Sequence, residues 1–236
     1  DATMGTHVNP SIKAGTFPVE AGPRLAAATW FKYRFIGKPG HGAQPHQGVD
    51  AGLAACAAAL DLQHVVSREF PADQPLVITI GKIEAGTRFN VIAAEATLEG
   101  TVRCYDPDIF RAVPASMERV VKSVADAYRC QLVVEKHDAV TMPCYNPDAP
   151  TLRGQATVKK LFGEEGLAHV PASMGGEDYS FMMDKVADSL FINVGTGNAE
   201  KGCCEPNHSG RFNVDEDALP GASAVYAQYA MDYLNE

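Results

Sequence analysis

Several side chains in this sequence could do chemistry, and most of them sit in stretches rich in glycine, proline and polar residues. His7 lies in Met4-Gly5-Thr6-His7-Val8-Asn9-Pro10 and His208 in Pro206-Asn207-His208-Ser209-Gly210-Arg211. Each reads as a loop residue that follows a strand-like run. Imidazole is a common neutral metal ligand at neutral pH, so the two form a candidate pair, against the plain alternative of two solvated side chains. His41 and His46 flank Gly42-Ala43-Gln44-Pro45. Gly42 and Pro45 forbid a helix, so this is no helix-face zinc motif. His41 is either part of a polar loop or a donor to a substrate oxygen. Asn90, in Gly86-Thr87-Arg88-Phe89-Asn90-Val91-Ile92, falls in a strand-like run where Asn is disfavoured; it marks a function or a bulge. Arg103, at the end of the same run, is a surface ion-pair residue unless a substrate meets it. Glu177-Asp178 is a possible metal or acid–base pair, although negative charge at a helix start explains it as well. The adjacent Cys203-Cys204 has no surrounding CxxC or CxH frame.

The elements that must position these residues follow from periodicity. Residues 1–26 read as a strand end followed by irregular structure. Thr29–Gly37 alternates as a half-buried strand, 49–66 is an Ala- and Leu-rich helix, and 75–83 is a strand. Residues 89–103 form one longer strand broken near Ala93-Ala94. Residues 107–129 are helical, with Asp106 as N-cap before Pro107, and 131–135 is a strand. The order over 29–137 is β-α-β-β-α-β, a ferredoxin-like arrangement closed by the Pro-rich 142–147 linker. Beyond the linker come a helix over 149–162 that stops at Gly163, a helix over 177–186, an apolar strand over 189–194, a loop over 196–211 and a final helix over 217–234. Neither flank looks self-sufficient. The expectation is an α/β fold in which 1–28 and 144–236 belong to one larger α/β domain and 29–143 is an inserted α+β domain.

Composition bounds the function. The 236 residues carry 20 basic and 29 acidic side chains, a formal charge of -9, which argues against a nucleic-acid partner. The longest nearly unbroken apolar run, 51–60, is too short to span a bilayer, so no membrane partner is expected. Six cysteines without CxxC spacing read as reduced thiols, and with no signal peptide at the front the expected location is cytoplasmic. The chain opens on Asp1-Ala2-Thr3-Met4-Gly5 with no initiator Met.

Five stretches, in order, resemble the M20 metallopeptidase family. Within it the similarity is to the amidohydrolase branch of hippurate, auxin-conjugate and aminobenzoyl-glutamate hydrolases. They are GTHVNPSIKAGTFPVEAGPRLAA (5–27), GKPGHGAQPHQGVDA (37–51), GTRFNVIAAEATLEGTVR (86–103), MGGEDYSFMM (174–183) and NHSGRFNVDEDALP (207–220). The resemblance implies a hydrolase of amide bonds in N-acyl or aminobenzoyl amino acids that uses two divalent metal ions, Zn or Mn. It implies that His7 and His208 are metal ligands, one for each ion. It implies that His41 and Asn90 bind the substrate carbonyl or its oxyanion, commonly in the partner subunit's site, and that Arg103 meets the substrate carboxylate. It implies that 1–28 and 144–236 are parts of the catalytic domain and 29–143 the lid or dimerisation domain. The expected partners are a small N-acyl amino acid or dipeptide-like substrate and further copies of the chain, as a homodimer or higher assembly through the lid. The family's first ~150 residues, which carry a C-x-H pair and a Glu-Glu pair of ligands and base, have no counterpart here. The alternative expectation is therefore a truncated, inactive chain acting only in dimerisation.

Overall fold

The computed structural model describes residues 1–235. The chain divides into two compact units. One comprises Asp1–Leu25, Cys144–Ser173 and the stretch from Asp178 onward; the other comprises Ala26–Pro143 and Met174–Glu177.

The first unit is organised by a strand pair whose members lie at opposite ends of the chain. Ala2–Lys13 runs parallel to Asp188–Gly197, in register from Ala2↔Asp188 to Asn9↔Gly195. Ser189–Phe191, Ile192 and Val194 are all buried, the near-continuous apolar run expected of a parallel strand covered on both faces. This corrects the reading of residues 1–26 as mostly irregular: a twelve-residue strand forms there because a distant partner satisfies its backbone. The helices Asp148–Phe162 and Leu219–Leu234 are tied together by Thr157 Oγ1 donating to Asp232 (2.8 Å) and by Lys160 with the same carboxylate (2.9 Å). Arg153 clamps Asp188 through two bonds of 2.8 and 3.1 Å while stacking on Tyr229 and Tyr233. Phe17, Val158, Leu190, Ile192, Val225 and Tyr229 form the core.

The second unit has the four strands Ala27–Ile36, Leu76–Ala85, Glu95–Cys104 and Gln131–Thr141 in one antiparallel sheet. The spatial order is second, third, first, fourth, as in a ferredoxin-like sheet. Phe31, Tyr33 and Phe35 point to one face, where they pack with Ala54, Ala58 and Leu62 of the helix Ala51–Arg68 and Met117 and Val121 of the helix Pro107–Ala127. The alanines let the first helix approach the sheet closely. Asp50 caps that helix by accepting from Leu53 N–H, and Asp106 caps the other by accepting from Asp108 and Ile109 N–H. On the opposite face Lys32 sits between Glu99 (3.2 Å) and Glu135 (3.4 Å), and Lys136 lies over the Trp30 ring.

Two elements differ from the sequence expectation. The helix expected over 177–186 is only Ser180–Met183, so Glu177 and Asp178 do not occupy its first turn and the dipole argument for them falls. The loop expected from residue 196 begins later, because the buried strand runs on to Gly197. Among the described residues no helix is long and apolar enough to cross a membrane.

Gly100 lies in the middle of the sheet, paired with Phe31 on one side and Ile80 on the other. A Cβ there would lie 2.0 Å from the Thr79 carbonyl oxygen and 2.6 Å from the Phe31 ring. Gly100→Ala should therefore destabilise the protein by ~2–4 kcal/mol, read as a lowered denaturant midpoint with an unchanged slope.

Candidate active site

His7 is exposed and lies within the Ala2–Lys13 strand, opposite Asn193, not in a loop beyond a strand end as the sequence suggested. The Gly- and Pro-containing context misled because the strand's partner is remote in sequence. Tyr179 and Tyr226 hold this strand from its flanks, their hydroxyls donating to Thr3 (3.1 Å) and Thr6 (3.2 Å). Gly5 accommodates the Tyr179 ring, which a Cβ would strike at 2.6 Å. The His7 Nδ1 lies 2.7 Å from the Val8 carbonyl oxygen. A carbonyl can only accept, so the bond assigns the proton to Nδ1 and leaves Nε2 with a free lone pair.

His208 is an exposed loop residue in left-handed backbone, φ 67°. The turn is closed by Ser209 N–H donating to the Pro206 carbonyl (3.2 Å). Asn207 reaches the same Val8 carbonyl with a long 3.5 Å bond from Nδ2, and its Oδ1 is buried without a partner. One carbonyl therefore joins the His7 strand to the His208 loop, and two exposed imidazoles are presented on one unit. Asn207 was not singled out from the sequence; its signal was an amide flanked by Pro206 and His208 in a turn.

His41 and Asn90 are brought together in the second unit. Gly40–His41 pairs antiparallel with Val91–Ile92, and Gly42 N–H donates to the Asn90 carbonyl at 2.9 Å. Asn90 is not in a strand: it occupies the exposed turn just before Val91, where Asn is favoured, which removes the strand argument for it. The His41 Nδ1 accepts from Ala43 N–H at 3.1 Å. In the neutral ring this fixes the proton on Nε2, the reverse of His7.

Arg103 lies in the four-stranded sheet, at the end away from the His41–Asn90 turn. It pairs with Ala28, whereas His41 follows Ile36, which pairs with Glu95. Eight residues of strand separate Glu95 from Arg103, about 26 Å at ~3.3 Å per residue. The chain enters and leaves the unit at the Arg103 end, since Ala28 also pairs with Thr141. Arg103 donates to the Met174 carbonyl at 3.0 Å. The structure thus groups the five candidates as His7 with His208, His41 with Asn90, and Arg103 apart from the latter pair.

Metal-ligand chemistry is present but sparse. Among the described residues there is no group of three or more His, Cys, Asp or Glu side chains placed to hold an ion. His7 fits a ligand by its free Nε2. All six cysteines are free thiols, and burial pushes the Cys104 thiol up to about 12, so it is no thiolate ligand.

Residues 25–129 match the peptidase dimerisation domain (M20_dimer). The whole chain aligns with thermostable carboxypeptidase 2 of Saccharolobus solfataricus at 30% identity, covering 59% of that protein. It aligns over 98% of its length with N-acetylcysteine deacetylase of Bacillus subtilis at 33% identity, covering 58% of it. Among solved structures, the Bacillus subtilis YXEP protein, described as a dinuclear metal binding peptidase from the M20 family, superposes with a TM-score of 0.78. That match has 28% identity and covers all of this chain and 58% of the other. The chain thus spans under two thirds of the length of these relatives. With a dimerisation domain inserted between the strand that bears His7 and the loop that bears His208, this chain carries the M20 peptidase dimerisation domain and is similar along its whole length to M20 peptidases.

Proposed function

We propose that this chain forms part of a metal-dependent amidohydrolase that cleaves N-acyl amino acids. The observation that carries the reading is the opposite hydrogen bonding of two histidine Nδ1 atoms. His7, with its proton on Nδ1, offers Nε2 as a metal ligand; His41, with Nδ1 occupied by Ala43 N–H, offers Nε2–H as a donor. The named deacetylase relative acts on an N-acyl amino acid, and the M20 structural relative binds two metals.

His7 and His208 would each hold one divalent ion, Zn or Mn, with further ligands from polypeptide that the longer relatives have room for. Bound there, the ions supply Lewis acidity and lower the pKa of a nucleophilic water. His41 Nε2–H and the Asn90 amide then donate to the scissile carbonyl oxygen as it gains negative charge. Arg103, with guanidinium donors beyond the one given to Met174, meets the substrate carboxylate. Its distance of about 26 Å along the sheet from the His41–Asn90 end favours a site completed by the lid of a second copy. A surface for that copy is present. The helix Ala51–Arg68 exposes Leu53 and Leu60, and the edge strand Leu76–Ala85 exposes Val77 and Ile83. The reduced thiols fit a cytoplasmic enzyme.

Long-range 1H–15N spectra at pH 8 should show His7 protonated at Nδ1 and His41 at Nε2; the reverse pattern at both would remove the basis of the reading. Light scattering should give twice the mass of one chain, and Leu60→Glu should give the single-chain mass with the fold kept. The 236 residues alone should hold zinc weakly and leave N-acetyl amino acids intact. Joined to a segment that supplies the remaining ligands, they should hydrolyse them. In that form His7→Ala or His208→Ala should abolish turnover, and His41→Ala should lower kcat with metal content kept. Mixing His41→Ala chains with His208→Ala chains should restore roughly a quarter of wild-type activity, because half the dimers would carry one intact composite site. No recovery on mixing would mean that each lid serves its own chain.

A further inference from the structure

A groove of about 510 Å³ opens beside Asn90 in the dimerisation unit, lined also by Phe89, Tyr128, Arg129, Asp50 and Leu53. Arg129 has left-handed backbone, φ 63°, at a position just past the helix Pro107–Ala127 where glycine is usual. The turn is held by Arg129 N–H donating to the Asp126 carbonyl (3.1 Å) and Cys130 N–H to the Ala125 carbonyl (2.8 Å). A bulky residue in this conformation is uncommon, since glycine adopts it without strain. Yet the Arg129 guanidinium has no hydrogen bond or ion pair among the described residues, and neither has that of Arg88, in the turn that carries Asn90. The other arginines each have a guanidinium partner. Both unpartnered arginines are therefore at the His41–Asn90 end of the sheet. Asp50 is the single carboxylate of the lining, and its Oδ1 is engaged by Leu53 N–H at 3.1 Å. Phe89, fully exposed, and Tyr128 supply apolar walls.

We propose that this groove is a specificity subsite for a second carboxylate on the substrate, so that the preferred N-acyl amino acids carry an acidic side chain. This rests on the amidohydrolase reading above. The planar Arg129 fork matches a carboxylate, the aromatic walls take the methylenes that bear it, and the Asn90 amide on the same groove places that carboxylate near the scissile amide. The α-carboxylate remains with Arg103, so the two anions are read by different arginines.

The test uses the 236-residue chain itself, titrated with N-acetyl-L-glutamate and followed by 15N NMR. The expected result is shifts at residues 88–91 and 128–130, together with shifts at Arg103 where the α-carboxylate binds. N-acetyl-L-glutamine, isosteric but neutral at the side chain, and inorganic phosphate should each bind roughly tenfold more weakly. Arg129→Gly should erase the preference for glutamate over glutamine while keeping or raising Tm, since glycine suits this backbone, so loss of binding is not loss of fold. Equal affinities for the two isosteres, phosphate binding as tight as the glutamate, absence of shifts in the groove, or an Arg129→Gly variant that binds like wild type would each overturn the proposal. Selective binding by a chain whose metal-loaded, extended form hydrolyses no amide would leave the subsite standing and refute the amidohydrolase reading alone.

Discussion

The parallel pairing of Ala2–Lys13 with Asp188–Gly197 is the constraint on which the rest of the first unit depends. Neither strand has another partner among the described residues, and the second is buried along most of its length. Once paired, the backbone groups that face each other are satisfied, the Asn146 side chain accepts from the Phe191 N–H and donates to its carbonyl on the other edge of the buried strand, and that strand supplies Leu190, Ile192 and Val194 to the core. The Arg153–Asp188 clamp fixes the start of the buried strand, and the two tyrosine hydroxyls fix the strand that bears His7. Presentation of His7 is then a consequence of register: a one-residue slip would turn it to the opposite face.

At both candidate positions the backbone decides what an imidazole can do. The Val8 carbonyl takes a proton donor from His7, and the Ala43 amide gives one to His41. These are short-range bonds, set by strand and turn conformation and not by other catalytic side chains. The same residue type thus has its Nδ1 as a donor in one unit and as an acceptor in the other.

The sheet of the dimerisation unit acts as a spacer. Its inner face is closed by aromatic side chains and two capped helices, and its outer face by the Lys32, Glu99 and Glu135 ladder. That rigidity separates Arg103 from the His41–Asn90 turn by the length of a strand. The two groups of side chains therefore lie at opposite ends of the sheet, and the first helix and the edge strand expose Leu53, Leu60, Val77 and Ile83.

How much was legible follows from range. The β-α-β-β-α-β order of the second unit was readable because its signals are local: alternation through Phe31, Tyr33 and Phe35, N-caps at Asp50 and Asp106, and Pro107 at a helix start. The types and order of His7, His41, Asn90, Arg103 and His208 were readable too, since motif spacing is a property of the chain. What only the tertiary structure decided depends on partners far apart in sequence. It made residues 2–13 a strand, because the satisfying partner lies at 188–197. It put Asn90 in a turn, because Val91 pairs back to His41, and it cut the 177–186 helix to four residues. It joined the His208 loop to His7 through one shared carbonyl, and it left Arg129 unpartnered in a groove. Local propensity fixes where hydrogen bonds must be made; only the folded chain determines with whom.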